Sequence, residues 1–214
     1  MALVIGTNCG FVTTAPTTDP GGNLTETIDT RSNAGKFTSP VGAGKITEIG
    51  YYVNIATEAA TNEVGIYLHD SGNDKPNELL SKASFAKGTT AGWKVASGLN
   101  IVIEPETIYW LAAQCDDTST TTRMDLRSGV GGVMDRKLTQ TTLTSPWGTS
   151  YDQNAWLVAI YAVWEAGAPA GTNMQVNIDD TMKDVATAYV NVDDAWKEVA
   201  SAVVNVDDAW KTIF

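Results

Sequence analysis

Thr107-Ile108-Tyr109-Trp110-Leu111-Ala112-Ala113-Gln114-Cys115 is the stretch that decides the fold class. Side chains alternate across a strand, so Tyr109, Leu111, Ala113 and Cys115 share one face and Trp110, Ala112 and Gln114 the other. Both faces are largely apolar, which places this strand in the middle of a packed structure. Outward from it, Lys45 to Asn54, Glu63 to His69, Glu78 to Phe85, Trp93 to Ile103 and Ala155 to Glu165 are rich in β-branched and aromatic residues, with Gly, Pro, Asn and Asp between them. Trp156 to Trp164 is again apolar on both faces. Leu3 to Thr13 and Gly35 to Thr38 supply further strands, for about eight in all. Thr14 to Thr27, with its Pro, Gly and Thr, reads as a loop. The expectation for residues 1–166 is an all-β head, an antiparallel β-sandwich of jelly-roll type.

Composition agrees with this class. A chain of 214 residues with 43% hydrophobic content holds one full-sized domain, its core and an appendage. Its 19 Gly and low charged fraction of 18% favour many turns and strands over helices. With 25 acidic against 14 basic residues the net charge is -11, which argues against nucleic acid as a partner, because phosphate is bound by clustered Lys and Arg. No apolar stretch is long enough to insert in a membrane, and no basic-then-apolar signal peptide follows Met1. Cys9 and Cys115 are too few for a disulfide framework or a thiolate cage. They read as two buried thiols, with a single bridge between them as the alternative.

The C-terminal region follows different rules. Gly167 to Asn173 is a linker of small residues and Pro, and residues 174–214 repeat every fourteen positions. Val176-Asn177-Ile178-Asp179-Asp180, Val190-Asn191-Val192-Asp193-Asp194 and Val204-Asn205-Val206-Asp207-Asp208 align, followed by Met182-Lys183, Trp196-Lys197 and Trp210-Lys211. As β, each repeat is strand, Asp-Asp turn, strand. As helix, the four-and-three spacing from Ile178 to Ile213 is the seam of a coiled coil. A unit this short cannot bury its own apolar face. Either form therefore implies association, with Val190, Val192, Trp196, Val199, Val204, Val206, Trp210 and Ile213 as the oligomerising residues.

The tail resembles the short hairpin repeats of phage tail-fibre and other virion-associated proteins, in which Val-Asn-Val, a two-residue turn and Trp-Lys recur. Those turns commonly contain Gly, whereas here they are Asp-Asp. The head is similar to β-sandwich modules of phage and exported proteins. The residues that carry this are Ile46-Thr47-Glu48-Ile49-Gly50, Val64-Gly65-Ile66-Tyr67, the Asp70 to Leu80 loop with Pro76, Gly92-Trp93, and Pro105 to Ala112. The resemblance tips the tail toward hairpins. It implies a non-enzymatic structural or display protein, on a virion or outside the cell, forming a homo-oligomer, a trimer by preference, among other virion or surface proteins.

Candidate sites are few. His69 is the one histidine, so a catalytic triad or a multi-histidine zinc site finds little support, and it reads as a strand-end surface residue. Asp70, Asn73 and Asp74 supply hard oxygen donors that suit calcium, and Asp116-Asp117 is a second acidic pair that would share the ion if the loops converge. The same residues are ordinary turn formers. Trp147, Tyr151, Asp152 and Asn154 gather an indole, a phenol and polar acceptors on one loop, the mix that stacks on and hydrogen-bonds a glycan in an adhesion module. Against that, Trp147 also suits a cap on the core. A glycan-cleaving carboxylate pair is the remaining reading.

Overall fold

The computed structural model describes residues 2–56, 61–116, 122–129 and 131–167, and in the C-terminal region 174–178, 181–185, 189–192, 195–198, 203–206 and 209–212. The chain divides into two compact units, Met1–Ala166 and Gly167–Phe214. It is all-β, with no helix among the described residues.

In the first unit the strands are β1 (Gly10–Val12), β2 (Leu24–Thr27), β3 (Arg31–Thr38), β4 (Ala43–Ile55), β5 (Thr61–Asp70), β6 (Lys75–Ala86) and β7 (Gly92–Val102). They continue with β8 (Ile108–Asp116), β9 (Arg123–Ser128), β10 (Met134–Leu138), β11 (Asp152–Asn154), β12 (Trp156–Val158) and β13 (Ile160–Ala166). One sheet runs β1-β13-β4-β9-β12, with β2 joined to β9 and β7 to β4; the other runs β11-β10-β3-β8-β5-β6. Ile46, Ile49 and Val53 of the first sheet and Val64, Ile66 and Leu111 of the second meet in one core, giving a sandwich-like arrangement. Burial of each such side chain contributes about 1.5–3 kcal/mol.

β8 lies between β3 and β5, and its residues from Tyr109 to Cys115 are all buried. Tyr109, Leu111, Ala113 and Cys115 belong to the core between the sheets. Trp110 and Ala112 instead join Ala34, Tyr67, Leu143 and Trp147 in a second cluster. What covers the far face of β8 is thus the irregular segment 139–151, in place of another sheet.

Several expectations change. The head is not wholly antiparallel, because β1 runs parallel to β13, with Gly10 opposite Tyr161 and Val12 opposite Val163. Leu24–Thr27, read as loop, is a strand that β9 pairs along its length. Arg123–Ser128, Met134–Leu138 and Asp152–Asn154 were not legible as strands, since the first two mix charged with apolar residues and the third is three polar residues long. Cys9 and Cys115 are the two buried free thiols read from sequence, and burial pushes the Cys9 thiol up to about 12. Close packing sets one glycine: a Cβ on Gly50 would lie 2.6 Å from the ring of Tyr161, so only glycine lets that ring lie on β4.

In the second unit β14 (Met174–Ile178) pairs antiparallel with β15 (Thr181–Val185), β16 (Tyr189–Val192) with β17 (Ala195–Glu198), and β18 (Val203–Val206) with β19 (Ala209–Thr212). The register repeats: Asn177 opposes Met182, Asn191 opposes Trp196 and Asn205 opposes Trp210. Val190, Val192, Trp196, Val204, Val206 and Trp210 thus lie in strands, while Val199, Ile213, the Asp-Asp positions and residues 168–173 lie outside the described residues.

Candidate functional site

The tight turn between β5 and β6 and the segment leading into β11, read from sequence as separate sites, are brought together at one end of the six-stranded sheet. Gln153 Nε2 donates to Asp74 O at 2.7 Å, Lys75 Nζ to Gly148 O at 3.1 Å, and the Trp147 amide to Asn77 O at 2.7 Å. The segment 139–151 is anchored by buried carboxylates. Glu63 accepts from Leu143 N at 2.6 Å, Thr142 Oγ1 at 2.9 Å and Lys82 Nζ at 2.9 Å. Burial pushes this carboxyl up, but the Leu143 amide, Lys82 and Thr142 outweigh it and hold it below its ordinary range. Asp135, 0% exposed, accepts from Trp147 Nε1 at 2.7 Å, Ser150 Oγ at 2.7 Å and Gln153 Nε2 at 3.0 Å.

This geometry corrects the glycan platform. Trp147 is only 1% exposed, edge-on to Tyr67 at a ring separation of 5.0 Å, so its ring face offers nothing to a ligand. It caps the cluster on the far face of β8. Asp152 is engaged by Arg136, whose Nε and Nη2 reach its two oxygens at 3.0 and 2.6 Å. Arg136 also meets Glu26 at 2.6 Å, and Arg31 pairs with the same Glu26 oxygen. Since Glu26 lies on β2 and Arg136 on β10, the cluster ties one sheet to the other. Burial lowers the Arg136 pKa, but Asp152 and Glu26 together raise it, so the guanidinium stays charged. Asn154 is half-buried, with its Nδ2 lacking a hydrogen-bond partner. Tyr151 alone among the four keeps a free ring, 61% exposed, with the Arg136 guanidinium 5.1 Å from its centroid.

The residues read as calcium ligands are not gathered at one place. Asp70 Oδ1 accepts from the amides of Gly72 and Asn73 at 2.9 and 3.2 Å, and its Oδ2 from Asn73 Nδ2 at 2.8 Å. Its oxygens therefore form the turn. Asp74 spends its oxygens on Lys36 Nζ at 2.8 and 2.9 Å. Asp116 cannot share an ion with this turn, because β8 pairs with β5 so that Asp116 opposes Thr61, at the other end of the strand from Asp70. At about 3.4 Å per residue the two acidic groups are roughly 30 Å apart. Asp117 lies outside the described residues, among which no three His, Cys, Asp or Glu side chains are placed to hold a metal ion.

Beside this turn, Trp110 Nε1 donates to His69 Nδ1 at 3.2 Å, which leaves Nε2 facing Asp74 at 3.8 Å. Lys36 lies 5.9 Å above the Trp110 ring. His69 thus seals the edge of the buried indole instead of presenting a base beside a nucleophile. What reaches solvent here includes Asp74, Gln153 and the ring of Tyr151, which rests against Arg136. Sequence reading missed Lys36, Arg136 and Glu26 because Arg136, on β10, lies about a hundred residues along the chain from Glu26 on β2 and Lys36 on β3. The signal was that basic residues are scarce in so acidic a protein.

No protein-family model, curated protein or solved structure matches this chain.

Proposed function

We propose that this chain is a non-enzymatic structural protein, of virion or extracellular fibre type, whose jelly-roll-like head is displayed by C-terminal repeats that associate with copies of the same chain. The observation that carries the reading is the recurrence of one cross-strand register in three hairpins. Each hairpin forms a two-stranded sheet of its own, with no third strand among the described residues. An isolated two-stranded hairpin is marginal in water, and a repeat of this length gains stability by stacking on like units. A trimer is the assembly implied by the resemblance to tail-fibre repeats, and other virion or surface proteins are the expected neighbours.

Light scattering on the full chain and on a version ending at Ala166 tests this. A full-length oligomer that becomes a folded monomer on truncation supports it; a number of chains per particle that does not change with truncation overturns it.

A second reading, glycan attachment by the head, rests on Tyr151 alone, exposed and flanked by Asp152 and Gln153. If Tyr151→Ala leaves binding to a glycan array unaltered, or no glycan binds, that reading fails.

A further inference from the structure

The segment 13–23, which joins β1 to β2, crosses the outward face of the seven-stranded sheet. On that face Trp93 of β7 stands edge to face between Tyr52 of β4 and Tyr161 of β13, with ring centroids 5.3 and 5.0 Å away. Tyr161 donates to Glu48 Oε1 at 2.5 Å. The segment is tied down along this floor. Trp93 Nε1 donates to Thr18 O at 2.9 Å, the Tyr52 hydroxyl bonds the Asp19 carboxylate, and the Asn23 amide donates to Leu126 O at 3.0 Å. Gly22 lies so close to β9 that a Cβ there would meet Leu126 O at 2.8 Å and Asp125 Cβ at 3.0 Å, and its amide bonds the Asp125 carboxylate.

Asp125 is the weak fastening. The residue is 5% exposed, yet its Oδ1 is buried and accepts no hydrogen bond. The titratable groups facing it are Asp19 from the segment, a like charge, and Tyr52 from β4. On β2 its register partner is the uncharged Thr25, and on its own strand Arg123 and Arg127 stand two residues to either side. Burial, and then the charge of Asp19, push the Asp125 carboxyl up to about 6, against the Gly22 amide, which lowers it.

We propose that the segment 13–23 is a proton-operated strap, fastened over Tyr52, Trp93 and Tyr161 while Asp125 is protonated and loosened when Asp125 ionises. A protonated Asp125 places no charge in the sheet face and sets no repulsion against Asp19. Ionised, it is a buried carboxylate with one oxygen bare and a second carboxylate beside it. Lifting the strap lets water reach both groups and relieves that cost.

Hydrogen exchange of residues 13–23 in the full chain, corrected for the intrinsic rate at each pH, reads the strap directly. Protection should fall by up to about tenfold between pH 5 and pH 8. The indole N–H signal of Trp93, bonded to Thr18, should follow the same midpoint. Asp125→Asn, which removes the charge and keeps the shape, should show equal protection at both pH values. Asp19→Asn, at an exposed position, should move the wild-type midpoint to lower pH. Protection that does not depend on pH in the wild type, or a pH dependence that persists in Asp125→Asn, overturns the proposal.

Discussion

Asp135 and Asp125 each lie beneath a segment that crosses the outward face of a sheet, and the two carboxylates are equipped differently. Asp135 meets three side-chain donors, from Trp147, Ser150 and Gln153. Asp125 has the Gly22 amide, a bare Oδ1 and the like charge of Asp19. Burial raises the pKa of both, but at Asp135 the donors from Ser150, Gln153 and Trp147 and the charge of Lys75 oppose it. The lesson is that a buried acid fastens a cover only as well as its donors replace the lost water. The cover over β8 is bolted at Glu63, Asp135 and Trp147, whereas the strap over β4 is held at one end by a group that prefers to be neutral.

The largest effect expected from breaking the bolted side is that of Trp147→Ala. It empties the cluster formed with Tyr67, Trp110 and Leu143 and should cost about 4 kcal/mol, read as a lower urea midpoint for the head. Asp135→Ala comes next, at about 3 kcal/mol, because the Trp147 indole N–H is left buried without its acceptor. Its specific mark is faster hydrogen exchange in 139–151 with the strap unaffected. On the latched side the sign reverses. A folded-state pKa of about 6, above the unfolded value, means that the folded state holds the extra proton. The stability Asp125 contributes is therefore complete below the unfolded pKa, falls as pH rises through about 6, and is flat beyond. Asp125→Asn should remove that slope and leave the variant more stable than wild type by about 2 kcal/mol at neutral pH, allowing for solvent at the edge of the strap. Thermal melts of both proteins from pH 4 to pH 8 decide this, and a variant less stable than wild type at pH 8 would erase the contrast between the covers. Smallest is Tyr151→Ala, whose ring rests on Arg136 at the surface. It should change stability by no more than about 1 kcal/mol in the same urea titration, since Glu26 and Asp152 still hold the guanidinium.

Much of this contrast was hidden from sequence reading for a physical reason. Trp110 and Ala112 announced that β8 is covered on both faces, but nothing local in the chain says that the cover is the irregular segment 139–151. Trp147 looked the same as a ligand platform and as a cap, and only the placement of Tyr67 and Asp135 around it separates the two. Thr14 to Thr27 was legible as turn-rich, yet its last residues complete a strand through pairing with β9, which lies about a hundred residues further along the chain. The acidic turns at Asp70 and Asp116 looked alike, and the strand register puts them at opposite ends of the sheet.

Sequence by itself determined that the head of residues 1–166 is all-β, that β8 is a central strand within it, and that the head gives way to a fourteen-residue repeat. These follow from alternation, turn chemistry and periodicity, which act between residues close in the chain. Tertiary structure alone decided that Trp147 is a bolt, that Arg136 joins the sheets through Glu26, and that Asp125 Oδ1 lacks a donor. Those properties depend on which distant groups replace water around a buried polar atom, and desolvation is a quantity that no local pattern carries.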